Sequence, residues 1–263
     1  MSERDGRTPG TALAAHVFSY HLVGYRRTWW SSVFSSFLLP VIFLAGIGLG
    51  VGGYVDRGHQ LAVPYLSFLA PGVLASTALS VAIGESTYRV YSQFEWDRTY
   101  QAMLATPLRV VDVLAGQLTF VVFRGLVASA VFLVVMAAFG TVRSAWALLV
   151  LPTALVLTLA CAAPTFAYTA TRRSDAGFAV LFRFVVVPIQ LFSGVYFPIT
   201  QLPALLRPLA YLSPLWHGVE LTRSFTLGVI SWPAVLVHLA YLLVWCVVGA
   251  RLAHWAFRRR LIV

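Results

Sequence analysis

An all-α integral membrane protein is the fold class this sequence predicts, and three observations carry the prediction. The 263-residue chain is 59% hydrophobic and 11% charged, whereas soluble domains carry about 25% charged residues. Apolar runs of about 20 residues recur along it, each long enough to cross a bilayer core of about 30 Å. Its charges gather at the ends of those runs rather than on one soluble face, which argues against nucleic acid as a partner. All 19 basic residues are arginine, and with nine acids they give a net charge of +10. A chain without lysine cannot carry a Walker A loop, whose lysine reaches the β- and γ-phosphates. If ATP drives this protein, another subunit binds it.

The elements follow in order. Residues 1–10 are polar and expected to be disordered. Over 11–30, Leu13, Val17, Phe18, Leu22, Tyr25 and Trp29 share one side, with His16, Ser19 and Arg26 on the other. That pattern predicts an amphipathic helix, and Tyr25, Trp29 and Trp30 beside Arg26 and Arg27 suit a membrane interface. About six spans follow, at roughly 33–54, 65–88, 114–139, 145–170, 177–197 and 231–252. The first ends in GIGLGVGG, where the Gly46/Gly50 and Gly48/Gly52 pairs offer either close helix packing or a loosened helix end. The stretch 198–230 contains Pro198, Pro203, Pro208 and Pro214. It is too broken for an ordinary span and too apolar for a free loop. Short helices dipping into the outer leaflet, with their irregular backbone shielded by protein, fit it.

Orientation follows from arginine. With the N-terminus inside, twelve arginines (Arg4, Arg7, Arg26, Arg27, Arg89, Arg98, Arg109, Arg172, Arg173, Arg258, Arg259 and Arg260) lie on the cytoplasmic side, against four outside. The positive-inside bias therefore predicts both termini, and the polar segment between the second and third spans, in the cytoplasm.

That polar segment, Arg89 to Val113, is the most distinctive part of the chain. Trp96, Tyr100, Met103, Leu104 and Pro107 recur at i, i+4, i+7, i+8 and i+11, which predicts one apolar helix face. Glu95, Asp97, Arg98 and Gln101 form a solvated face. Thr106-Pro107 reads as a helix restart, with Thr as N-cap and Pro at the first helical position. Such a helix either rests on lipid headgroups or is presented to a protein, and the residues alone leave both open.

Two arginines fall inside apolar runs. Arg183 sits about one and a half turns into its run and can snorkel to the interface. Arg124 lies roughly 15 Å deep at the helical rise, where a charge faces protein or a water-filled cavity. Glu85 is the candidate partner of either. Cys161 and Cys246 read as buried thiols packing as small hydrophobes, and no metal-ligand spacing occurs. His59, His217 and His238 are scattered in sequence, and neither HExxH nor GxSxG is present, so no catalytic site is expected.

Together these features resemble the ABC-2 type permease family, in the branch of the nodulation lipo-oligosaccharide exporters and daunorubicin-resistance permeases. The resemblance covers nearly the whole chain. It rests on Gly46-Ile47-Gly48-Leu49-Gly50, FLAPG from Phe68 to Gly72, TYQAMLATPLRVVDVLAGQL from Thr99 to Leu118, PLWHGVELTR from Pro214 to Arg223, and the terminal FRRRLIV. It implies one ABC-2 type transmembrane domain over 1–263. That domain has a tail and interface helix at 1–32, spans at 33–88 and 114–197, a coupling segment at 89–113, extracellular helices at 198–230, and a last span with a basic tail at 231–263. It also implies a bacterial cell membrane location, a second permease chain, identical or related, and two separate ATPase subunits that carry the ATP and Mg. The chain itself would need no cofactor. The family's coupling helix, carried over, falls on Phe94 to Thr106, so Phe94, Glu95, Trp96, Asp97, Arg98, Tyr100, Met103, Leu104, Thr106 and Pro107 are the residues expected to meet the ATPase. Here Trp96-Asp97-Arg98 replaces the family's usual Gly or Arg-Glu step before the threonine.

The expected function is the membrane half of an ATP-driven exporter. The spans carry few charges, which suits an amphipathic or lipid-linked cargo, a drug or a glycolipid, over a strongly ionic one. The alternative is a secondary transporter or channel working without ATP, although no carboxylate or histidine stands obviously at mid-membrane to carry a coupled proton.

Overall fold

Proline, glycine and hydroxyl side chains decide where the apolar runs begin, bend and stop. The structure is a computed structural model that describes residues 10–58 and 63–262, without side-chain detail for 10–12, 28–37, 39–40 and 48–49. The described residues form helices joined by turns, with no strand among them. The acidic-basic tail before residue 10, and His59, fall outside them.

Helix α1 (Gly10–Gly50) runs 41 residues without interruption, about 60 Å at the helical rise. The predicted interface helix and the first predicted span are thus one element. The reason lies between them, where residues 28–39 contain neither glycine nor proline and give no stop signal. Its predicted apolar face is the buried one, but its partner is another helix. Val17 is buried, and Phe18 lies 6.4 Å from Phe120 and 5.8 Å from Phe123, centroid to centroid. A short α2 (Gly52–Arg57) leads to α3 (Tyr65–Ser86), capped where Asp56 Oδ1 accepts from the Tyr65 backbone N–H at 2.8 Å.

At Thr87 the backbone departs from helix (φ −100°, ψ −99°) before α4 (Tyr88–Glu95) resumes. Ser86 and Thr87 turn their hydroxyls back onto Ala82 O and Ile83 O, a local competition that bends helices. Next come α5 (Thr99–Leu104), α6 (Val110–Ala138), a 3₁₀ turn at Ala145–Leu149 and α7 (Val150–Ala170). The fifth predicted run is shorter than expected. It holds α8 (Ala176–Leu181), a π-helical turn at Phe182–Val186 and α9 (Val187–Phe192). Pro188 supplies no N–H to the carbonyl four residues back, and the helix widens immediately before it. The proline-rich stretch folds as predicted into short helices, including α10 (Arg207–Leu212) and α11 (Pro214–Leu227), and α12 (Trp232–Leu261) closes the chain.

Among the described residues, four stretches are long and apolar enough to cross a membrane: Tyr65–Glu95, Val110–Ala138, Ala145–Ala170 and Trp232–Leu261. They match the second, third, fourth and sixth predicted runs. Helix α7 is the hub, and its neighbours approach it through glycine. A Cβ added at Gly249 of α12 would lie 2.6 Å from Pro164, and one at Gly218 of α11 would lie 2.5 Å from Leu157. In a bilayer, where apolar burial gives no advantage over lipid, such backbone proximity is what holds helices together. Among the described residues Gly46 and Gly50 have no such neighbour, since a Cβ at either meets nothing within 4 Å. Gly48 lies outside the residues whose surroundings are described.

The bundle has two polar ends. One, the island end, carries α4, α5 and the last turns of α7 and α12. The other, the far end, carries the α6–α7 turn, α10 and the start of α12, where Trp146 and Trp232 meet edge to face at 5.7 Å.

Candidate functional site

The polar segment forms a two-helix projection at the island end. Helices α4 and α5 are joined at Arg98, whose backbone is left-handed (φ 49°, ψ 30°) and is the only non-glycine with positive φ among the described residues. That turn corrects the single predicted helix face. Trp96 caps α4 and is 64% exposed, whereas Tyr100 on α5 is fully buried. Pro107 lies in the turn after α5, and the restart comes later than Thr106-Pro107 suggests. Helix α6 begins at Val110 behind Arg109, whose backbone N–H donates to Asp112 Oδ2 at 3.0 Å in a capping box. The Thr106 hydroxyl instead donates back to Met103 O at 2.6 Å.

The ten candidate coupling residues therefore divide into two groups. Glu95, Trp96, Asp97, Arg98, Thr106 and Pro107 are exposed at the tip. Phe94 and Tyr100 are buried, and Met103 and Leu104 are half-buried against the core. Phe94 meets Tyr100 at 4.6 Å and Phe257 of α12 at 4.9 Å, and Phe257 stacks on Phe166 of α7 at 5.9 Å. Each such pair adds about 0.5–1.5 kcal/mol beyond burial. Tyr100 donates its hydroxyl to Gln117 Oε1 of α6 at 2.5 Å. Burial pushes this phenol well above its usual range, so it stays a donor at any physiological pH.

Arg260, in the last turn of α12, completes the base. Its guanidinium donates to Thr169 O and Ala170 O of α7, both at 3.2 Å, pairs with Glu95, and lies 4.2 Å over the Phe94 ring. It sits on the carbonyls at the C-terminus of α7, where a cation is favoured. From sequence, FRRRLIV reads as a basic tail and as part of the family resemblance, and neither reading gives Arg260, Phe257 or Gln117 a place in this base. Phe257 and Arg260 stand three apart on one helix face, which was the legible signal.

Deeper in, Glu85 is held by two arginines. Its Oε1 accepts from Arg124 Nε at 3.2 Å and its Oε2 from Arg89 Nη1 at 2.8 Å. Arg124 also lies 4.5 Å over the Tyr25 ring, so the clamp joins α3, α6 and α1. Arg183, the other candidate partner, is exposed on the π-helical turn and takes no part in this clamp.

The far end holds what sequence reasoning called scattered. His217 and His238 meet Nδ1 to Nδ1 at 2.8 Å, and His217 Nε2 lies 3.0 Å from Tyr211 O. A carbonyl only accepts, so His217 carries its proton on Nε2, and His238 Nδ1–H donates to the bare His217 Nδ1. Twenty-one residues of separation hid the pair. Arg223 closes the same end, donating to Gly194 O at 2.8 Å and Glu220 at 3.0 Å from above the Phe68 ring. No group of three metal-ligating side chains occurs among the described residues.

Residues 13–227 match the ABC-2 type transporter family. The chain is 32% identical to Nodulation protein J of Rhizobium leguminosarum bv. trifolii, over 94% of its own length and 93% of that protein. It is 28% identical to Nodulation protein J of Neorhizobium galegae, over 97% and 99%. With the protein of that name from Sinorhizobium fredii it shares 27% identity, over 94% and 93%.

Proposed function

We propose that this chain, which belongs to the ABC-2 type transporter family, is the membrane subunit of an exporter driven by a separate ATPase, and that the α4–α5 projection is where the ATPase docks. The observation that carries the reading is the division within the projection. An exposed tip bearing Trp96 stands on a buried aromatic base shared with α6, α7 and α12. Exposed Trp and Arg are the residue types enriched where proteins bind one another. A lipid-resting helix would turn an apolar face outward, whereas here the outward residues are Glu95, Trp96, Asp97 and Arg98.

ATP and Mg belong to the partner, consistent with a chain that has no lysine for a Walker A loop. Closure of the ATPase pair pushes the tip, and the aromatic base passes the displacement to the helix ends behind it. A second copy or a related chain completes the pore. The open backbone at Gly46 and Gly50 suits a close approach by that second chain. The island end faces the bacterial cytoplasm with both termini, by the arginine bias, and six spans cross the membrane with α10 and α11 capping the outer side. The cargo is an amphipathic or lipid-linked molecule, a drug or glycolipid, taken from the cytoplasm or inner leaflet.

The test is whether an ATPase co-purifies with this chain in mild detergent. Trp96→Ala/Asp97→Arg alters exposed residues and leaves the base intact. The wild type retains a partner that hydrolyses ATP, and the variant loses it at equal expression. Equal retention by both would remove the tip from the interface, and a wild-type chain that never carries an ATPase would overturn the exporter reading.

A further inference from the structure

A cleft of about 520 Å³ opens between α1 and α4 on the island end, beside the projection but separate from its tip. His16, Tyr20, His21 and Arg27 line it from α1, and Arg89 and Gln93 from α4, with no acid among the described lining residues. Two of these side chains are almost wholly buried yet incompletely satisfied. His21 is 2% exposed with Nε2 unpartnered, and Gln93 is 6% exposed with its amide oxygen unpartnered. Burying a polar group without a hydrogen bond costs about 1–3 kcal/mol in proteins, and both atoms lie just beneath the wall of an open cleft, where a turn of the side chain would present them to a ligand. Either can donate: His21 through Nε2–H in one neutral tautomer, and Gln93 once its amide is turned. The charge is positive. Arg89 shares its carboxylate, Glu85, with Arg124, so one acid serves two guanidiniums, and Arg27 is exposed at the rim.

We infer that this cleft binds a phosphate group, presented by an anionic lipid headgroup or by free phosphate, and that the bound group bridges α1 to the projection. Guanidinium forks match phosphate oxygens in charge and geometry. The apolar flank at Tyr20 and Val23, exposed at 55% and 57%, gives acyl chains a surface to follow. The site goes beyond the proposed function, and its test does not depend on an ATPase. Gln93 lies two residues before Glu95, so occupancy would splint α4 against α1 just behind the tip.

The full chain, purified in detergent and stripped of lipid, is titrated by native mass spectrometry with phosphatidylglycerol, phosphatidylcholine and inorganic phosphate. Arg27→Gln removes a rim cation. Arg26→Gln removes a neighbouring exposed arginine that does not line the cleft. Both are surface changes that leave the fold intact. The expected result is retention of phosphatidylglycerol over phosphatidylcholine, weakened about tenfold in Arg27→Gln, the scale of one charged contact, and unchanged in Arg26→Gln. Displacement by millimolar inorganic phosphate would assign the free anion as an occupant. Retention in its presence would assign the lipid headgroup. Equal behaviour of the two variants, or no preference for the anionic lipid together with no binding of inorganic phosphate, would overturn the site.

Discussion

The two polar ends of this molecule solve different problems with the same residue types. At the island end, Arg260 spreads across two carbonyls, a carboxylate and an aromatic ring, and ties an exposed tip to the helix ends of α7 and α12. At the far end, Arg223 makes a similar set of bonds but draws everything inward. Its side chain is 12% exposed, and it fastens α11 to α3 and to the turn at Gly194. A guanidinium under a projecting element makes it a handle, and one under an inserted element makes it a plug. Each end also holds a histidine that burial pushes down to about 4, His217 in line with His238 at the far end and His21 near Arg89 at the island end.

Four changes probe that difference, beginning with the largest effect. Phe257→Ala removes the ring at the centre of the island-end cluster, and loss of a buried phenylalanine costs about 3–5 kcal/mol. Thermal unfolding in detergent should fall accordingly, and the exposed Trp96 should quench more readily as its base loosens. Glu85→Gln leaves Arg89 and Arg124 facing each other without a counter-ion. Breaking a largely buried pair costs roughly 3 kcal/mol, and Glu85→Asp should recover part of it, read by denaturant midpoint. The third change is acid. The unfolded chain binds a proton at His21 near pH 6.5 and the folded chain only near 4. The stability of the folded state is therefore complete above about pH 6.5 and falls as pH drops toward 4. His21→Gln should flatten that limb of a melting-temperature profile. At the far end, protonating His217 at Nδ1 sets its new N–H against that of His238, so hydrogen exchange over 211–217 should rise in acid, and His238→Phe should raise it at neutral pH. The smallest effect is Arg98→Gly, which removes a left-handed strain of about 1 kcal/mol and should raise the melting temperature slightly without unseating the tip.

The layout of helices was largely legible. Runs at 65–88, 114–139, 145–170 and 231–252 appear where hydropathy placed them, because span length is set by a bilayer thickness that composition must match. The short helices of 198–230 were legible from prolines that block a continuous one. What sequence could not supply was partnership. The 96–107 periodicity is real on paper, yet Arg98 turns the chain and sends Trp96 out and Tyr100 in. Nothing in the order of residues announces a left-handed arginine, since that backbone state is rare for any residue but glycine. Glu85 and Arg124 were matched by charge and depth alone, and the structure pairs them. His217 with His238, and Arg260 with Glu95, stayed hidden because helices distant in sequence bring them together.

The central claim is that the projection and the ends of α7 and α12 move as one body. Spin labels at Ala102 and Arg258, both exposed, would report their separation in the complete transporter by double electron–electron resonance. A rigid handle gives the same narrow distance distribution with and without ATP, broadened only when Phe257 is replaced by Ala. A separation that shifts with nucleotide in the wild type would mean the projection pivots on its base, and the rigid handle would be contradicted.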